Sequence, residues 1–242
     1  MLADKGTVIV CDEPFTLIAI FPHPPSGWIH FATDNIEFLK DNFWRAIKRI
    51  GKNMVSLGIN SLRIGLRERG EHEYVRLFIE LGFKIYERIP IMEKDDYDIP
   101  DRGCQDVEIR RGTIEDVDAL LEIENLYFPS GHRYSAEKFK KLISNPMFYV
   151  ATHEGCVVGY LWLRVHDDTG QIIKIAVHPN YWKNCIGSRL MAFSIEKFSE
   201  LKTRKIFTRT LKTLEYEIKL LKEYGFKHEE NQITLEAKLS NI

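Results

Sequence analysis

The chain lacks a dominant sign of charge, a cysteine pattern and any long apolar run, and each absence removes a class of function. Its 34 Lys and Arg residues are balanced by 35 Asp and Glu over 242 residues, so no bulk field draws it to nucleic acid or to an anionic membrane. Partners must therefore be recognised by local sites. Only four cysteines occur, Cys11, Cys104, Cys156 and Cys185, widely scattered and without a C-x-x-C pair. This argues against a zinc site and against a disulfide framework, and points to a reduced, cytoplasmic setting. The histidines show no metal-ligand spacing, so no metal is expected. Apolar stretches such as residues 15–21 are far too short to span a bilayer, and no basic segment leads into an apolar one at the N-terminus, so the chain reads as soluble.

What is present is a long alternation of strand and helix patterns. Residues 93–106 are polar and acidic and are broken by Pro100 and Gly103, which is linker composition. The expected division is therefore a first lobe over 1–94, a linker over 95–106 and a domain over 107–242. Within the last, Val107 to Arg111 reads as a strand and Thr113 to Asp116 as a capping box opening a helix. A helix from Ser135, strands at 147–153 and 156–165 joined by a Glu154-Gly155 turn, and a strand at 171–177 follow. A helix from Gly187, a strand at 205–209, a helix at 213–224 and two strands at 226–230 and 232–239 complete the order.

The first half repeats part of this pattern. Setting Gly82-Phe83 on Gly225-Phe226 gives an offset of 143 residues, which places the Phe43 to Gly58 helix on residues 186–201, Leu62 to Leu66 on 205–209, and Thr7 to Val10 on Val150 to His153. The first lobe then starts at the first hairpin strand, without a preceding strand and helix pair. Its stretch from Leu39 to Trp44 has no glycine and carries Asp41, which would repel a phosphate, and Phe78 has no proton to donate. A second active site is not expected there.

The most informative stretch runs from Gln171 to Met191. An apolar strand ends in Val177-His178-Pro179, a polar loop follows, and Gly187 opens an amphipathic helix. Free N–H groups at a helix start, with the helix dipole behind them, favour phosphate, and a glycine lets it approach closely. Here the chain resembles the GNAT-type N-acetyltransferase superfamily, whose pyrophosphate loop reads Arg/Gln-x-x-Gly-x-Gly/Ala after a strand ending in Val-x-Pro. The resemblance implies an α/β (α+β) GNAT fold, a mixed and mostly antiparallel sheet flanked by helices, in a tandem arrangement of two GNAT-like lobes. It also implies acetyl-CoA, or another acyl-CoA, as cofactor. Backbone groups of Ile175, Ala176 and Val177 would hold the pantetheine arm, and the loop Trp182, Lys183, Asn184, Cys185, Ile186, Gly187 and Ser188 the pyrophosphate. Trp182 replaces the usual Arg or Gln, and Cys185 the usual first glycine. Outside the fold context, Gly187 is simply a helix-start glycine and Trp182 a packing aromatic.

The family's proton-handling positions are replaced. Gln171 stands where a fourth-strand Glu acts as base, Arg209 where a fifth-strand Glu does, Leu221 where a Tyr protonates the leaving thiolate, and Leu214 where an Asn touches the cofactor arm. Tyr224 and Glu217 share a helical face with Leu221 and are the substitute catalytic candidates. Substrate choice in such enzymes sits in the loop after the first helix. Here Tyr127, Phe128 and Tyr134 would line an acceptor slot with Glu124 near the amine, and the same residues read equally as a Pro-Ser-Gly turn with aromatics packed beneath it. The expected activity is acetyl transfer to a primary amine, on a small molecule or a peptide N-terminus, by direct attack. The alternatives are a catalytically degenerate acyl-CoA sensor or protein-binding module, and a transferase of longer acyl groups suited to Leu214 and Leu221.

Overall fold

A computed structural model describes residues 8–13, 16–33, 35–211 and 213–239. In chain order the elements are β1 (Val8–Glu13), β2 (Thr16–His23), β3 (Ser26–Thr33), α1 (Ile36–Ser56), β4 (Ser61–Arg67), α2 (His72–Glu80), β5 (Lys84–Lys94), β6 (Glu108–Arg111), α3 (Val117–Tyr127) and α4 (Ala136–Ile143). Then come β7 (Phe148–His153), β8 (Cys156–His166), β9 (Thr169–Val177), α5 (Ile186–Glu200), β10 (Lys205–Arg209), α6 (Glu215–Glu223) and β11 (Lys227–Lys238). They form two compact units, residues 1–89 with 230–242 and residues 90–229.

In the first unit the strand order is β1-β2-β3-β4-β11. β1, β2 and β3 are antiparallel, β3 and β4 run parallel, and β11 lies antiparallel to β4 from Gln232 to Lys238. Helix α1 begins where the Asn35 side chain accepts the Phe38 N–H at 2.9 Å, satisfying one of the open donors of the first turn. Its Leu39, Phe43 and Ile47, spaced four apart, are buried together with Phe78, Phe83, Ile64 and Leu235.

In the second unit residues 91–94 of β5 pair with β10, and the order continues β10-β9-β8-β7-β6. Two cores sandwich this sheet. On one face α5 and α6 bury Leu190, Phe198 and Leu221 against Leu161, Ile172 and Ile206. On the other α3 and α4 bury Leu120, Ile123 and Phe139 against Phe148, Val150 and Tyr160. The strand expected at 107–111 is present as β6, as is the Thr113–Asp116 capping box, and the Glu154-Gly155 turn carries the two positive φ values, 50° and 79°, that a tight hairpin requires.

The offset of 143 holds well beyond the Gly-Phe pair. It carries the first and last residues of α2 onto those of α6, and the starts of β3 and β5 onto those of β9 and β11. Gly82 and Gly225 both adopt left-handed φ, +89° and +81°. Phe83 N then donates to Phe78 O at 2.9 Å, and Phe226 N to Leu221 O at 3.0 Å, so the helix end is built identically. Thr7 of the sequence overlay lies outside the described residues.

Four expectations differ from the structure. The strands anticipated at 226–230 and 232–239 are one continuous strand, β11, with neither glycine nor proline between Lys227 and Lys238 and with Asn231 taken into the strand. Its residues 232–238 pair with β4 of the first unit, whereas they were expected to close the second domain. Alternation of side chains determines which face of a strand is buried and leaves its neighbour open. The polar segment 95–106 belongs to the second unit and is no free linker: Gly103, at φ +67°, packs so closely on the first turn of α5 that a Cβ there would stand 2.2 Å from Arg189 N. Residues 39–44, equated with the cofactor loop, lie within α1.

The left-handed helix end makes one clear stability prediction. Nothing lies within 4 Å of a Cβ placed on Gly82, so Gly82→Ala adds backbone strain alone. Urea unfolding should show a loss of about 1–2 kcal/mol; an unchanged midpoint would mean that the turn relaxes away from positive φ.

Candidate active site

The site begins where two parallel strands part. The register of β9 with β10 runs from Thr169–Lys205 to Ile172–Thr208, where the Thr208 hydroxyl donates to Ile172 O at 2.9 Å. β10 ends at Arg209 while β9 continues to Val177. Along this extension lies a cleft of about 400 Å³, bounded by Ile175, Ala176 and Val177 on one side and by Tyr216, Glu217 and Leu220 of α6 on the other. Its far end is the start of α5.

There the first i to i−4 bond of the helix joins Arg189 N to Cys185 O at 2.9 Å, which leaves the N–H groups of Ile186, Gly187 and Ser188 ahead of the ladder. Gly187 lines the cleft, and a Cβ on it would reach 3.3 Å from a Leu220 methyl. Trp182, Lys183, Cys185, Ile186 and Ser188 line the same cleft; Asn184 belongs to the loop without lining it. Cys185 has φ +48°, which explains why a glycine would be at ease there and what a cysteine must be held against. Cys185 is bonded to Cys104, 81 residues away in sequence, with Cα atoms 5.4 Å apart. This corrects the expectation of unpaired cysteines; the partners meet only because the segment after β5 folds back onto α5, and no spacing in the sequence announces that. Trp182 donates its indole N–H to Val177 O at 2.9 Å and packs its ring at 5.9 Å from Tyr127 and 5.2 Å from Tyr216, so it is a wall of the cleft.

The lining of the cleft includes a buried carboxyl. Glu217 is buried, and burial pushes its carboxyl up to about 7, with Thr210, Tyr127 and Lys174 opposing part of that rise. Tyr127 points its hydroxyl at Glu217 Oε2, 3.4 Å away, and is held protonated by burial and by that carboxylate. Tyr224, the other catalytic candidate, is brought elsewhere. It is buried beneath the first turn of α5, its hydroxyl beside Ser188 O at 3.0 Å and Asp101 O, and it does not line the cleft. Leu221 is packed into the core.

The residues expected to form an acceptor slot surround a side chain that the sequence reading passed over. Glu124 is fully buried, accepts from Tyr134 N at 2.7 Å and from the Tyr160 hydroxyl, and is paired with Lys174. The Lys174 ammonium also donates to His132 O at 2.8 Å and lies 3.8 Å from the ring centroids of both Phe128 and Tyr134. Burial pushes Lys174 down to about 8, against the pull of Glu124, and pushes Tyr134 up to about 12. The signal was available. A single lysine in the run Ile172-Ile173-Lys174-Ile175-Ala176-Val177 and a glutamate beside Ile123 on an apolar helix face are charges that need each other.

Two outcomes follow from these groups. The Glu217 carboxyl is raised above its unfolded value of 4.5, so the folded chain binds more protons than the unfolded one between about pH 4.5 and 7, and stability falls as pH rises through that window. Glu217→Gln should remove a loss of about 3 kcal/mol there, read as a flatter plot of unfolding free energy against pH. Reduction of the Cys104–Cys185 bond opens a loop of 81 residues, for which chain entropy gives about 4.5 kcal/mol, so a reductant should lower the melting temperature by several degrees. Identical curves with and without reductant would remove the bond from the stability account.

Residues 117–226 match the sequence model of the Acetyltransferase (GNAT) family. Over 101 residues the chain is 29% identical to a Bacillus subtilis protein named as a ribosomal protein bS18-alanine N-acetyltransferase, a match covering 40% of this chain and 66%, just under two thirds, of that relative. Over 138 residues it is 26% identical to the N-alpha-acetyltransferase of Sulfurisphaera tokodaii, covering 51% of this chain and 81% of the relative. Among solved structures, a tandem GNAT protein from the clavulanic acid biosynthesis pathway superposes with a TM-score of 0.74 at 11% identity, over 98% of this chain and 85% of that one. That likeness concerns the fold, and its tandem character agrees with the repeat at offset 143. The family match at residues 117–226 falls within the second unit, the one that carries the parted strands and the open helix start, and it is to the GNAT acetyltransferases that this unit is similar.

Proposed function

We propose that the second unit transfers an acyl group, acetyl foremost, from acyl-CoA to a primary amine by direct attack, with Glu217 as proton acceptor. The observation that carries this reading is that one cleft joins the free edge of β9, the start of α5 and a buried carboxylate of near-neutral pKa. The residues present fit an acyl-CoA. Its activated thioester carbonyl is the chemistry it brings when bound. The backbone of Ile175 to Val177 suits an amide-bearing arm, since the strand runs on past its β10 partner. The N–H groups of Ile186, Gly187 and Ser188, with Lys183 and Lys219 along the same wall, suit a pyrophosphate. Trp182, Tyr216 and Leu220 offer the arm apolar surface to pack on.

Glu217 is suited to its role because a carboxylate with a pKa near 7 takes a proton from an ammonium more readily than an ordinary one would, while remaining largely ionised at slightly alkaline pH. Tyr127 orients it. The names of the two relatives, a ribosomal protein bS18-alanine N-acetyltransferase and an N-alpha-acetyltransferase, favour a peptide N-terminus as acceptor.

Acetyl-CoA should raise the melting temperature through linkage, and Gly187→Glu, which sets a carboxylate among the phosphate donors, should abolish the rise. A wild-type curve unmoved by millimolar acetyl-CoA would overturn the cofactor assignment. Thiol release measured on a panel of amines and peptides then tests turnover: kcat/KM should climb with pH through about 7, and Glu217→Gln should cost about a hundredfold. Tight binding without turnover on any acceptor would leave an acyl-CoA sensor.

A further inference from the structure

The lysine in the aromatic cage is placed there by a defect in the strand. Across β8 and β9, Trp162 pairs with Lys174 but Leu163 pairs with Ile172, so Ile173 is an extra residue that reverses the alternation. Ile172 and Ile175 consequently both face the α5 core, three positions apart, and Lys174 turns to the opposite face with Ala176. Its ammonium meets Glu124, His132 O and the two rings of Phe128 and Tyr134, a receptacle suited to a primary amine. The receptacle adjoins the cleft. Lys174 immediately precedes Ile175, which lines the cleft, and the Phe128 ring stands 4.7 Å from that of Tyr127, another lining residue bonded to Glu217.

We propose that Lys174 is an acyl acceptor within its own molecule, its Nζ becoming acetylated by acetyl-CoA bound in the adjoining cleft. The step requires no co-reactant beyond the acyl-CoA. The lone pair of the neutral Nζ forms a bond to the thioester carbonyl carbon, the carbon–sulfur bond breaks, and sulfur leaves with the electron pair as CoA thiolate. The proton shed by nitrogen passes to Glu217 or to that thiolate, and nothing is oxidised or reduced. Burial assists, since an amine pushed down to about 8 is neutral in roughly a tenth of molecules at pH 7. The modified side chain loses its charge, so Glu124 is left without its cation. This inference rests on acyl-CoA binding as proposed above.

The test uses the purified full chain with acetyl-CoA, followed by peptide mass spectrometry over time. Lys174 should acquire an acetyl group before the exposed Lys202 and Lys222, with a rate constant independent of protein concentration, and Gly187→Glu should not acquire it. Acetyl-CoA that raises the melting temperature while Lys174 stays unmodified overturns the proposal and leaves the cofactor assignment standing. Absence of any thermal shift removes the cofactor assignment, and the proposal with it. Modification that proceeds equally in Gly187→Glu or in heat-unfolded chain is ordinary chemical acetylation and also overturns it. Lys174→Arg, which keeps the cation in the cage, should retain the thermal shift and lose only the modification.

Discussion

The end of the parallel pairing between β9 and β10 at Ile172–Thr208 is the constraint on which the site depends. A longer shared register would use the backbone of Ile175 to Val177 in the sheet ladder and close the cleft. A shorter one would leave β10 without the hydrogen bonds that seat it beside β9. The strand order β10-β9-β8 places one parallel and one antiparallel neighbour on β9, so its extension stays anchored to β8 through Gly159–Val177 while β10 no longer pairs with it, and Val177 O accepts the Trp182 indole N–H. An exposed edge is normally an aggregation hazard, and here it is recessed between the sheet and α6, where it is available to a ligand.

Charge in this unit is buried at two neighbouring places with opposite results. Glu124 and Lys174 are deeply buried but mutually paired, and their remaining capacity is met by Tyr160, Tyr134 N and His132 O. Such a network gains little net stability over an apolar packing, yet removing one partner leaves the other uncompensated. Glu217 has no cation in hydrogen-bond contact among its described partners, so the cost of burial appears as a pKa displaced toward neutrality. The first arrangement holds a geometry; the second holds a proton near its point of exchange.

The two units build the stretch ahead of their long helix differently. Their elements correspond at a constant offset, down to the left-handed glycine that ends α2 and α6. The difference lies ahead of the long helix. Asn35 caps α1 at residue 36, so the stretch equated with the cofactor loop is helical and Leu39 and Phe43 are core residues. In the second unit that stretch stays open until Cys185, which has left-handed φ and is bonded to Cys104. An open helix start needs a chain that is prevented from continuing the helix backward.

Much of this was legible in the amino-acid sequence. Most of the order of strands and helices and the repeat at Gly82 and Gly225 follow from local periodicity and turn chemistry, whereas the loop from Trp182 to Ser188 beside Ile175 to Val177 and the candidate base Glu217 were pointed to by the resemblance to a known family. These depend on neighbours within a few residues, and that information is carried by the chain itself. The tertiary structure alone decided that β11 joins β4, that Cys104 meets Cys185, that Tyr224 is withdrawn beneath α5, and that a bulge at Ile173 turns Lys174 onto Glu124. Each is a pairing between distant segments, and the free energy that selects it comes from burial and register in three dimensions, which no spacing along the chain encodes.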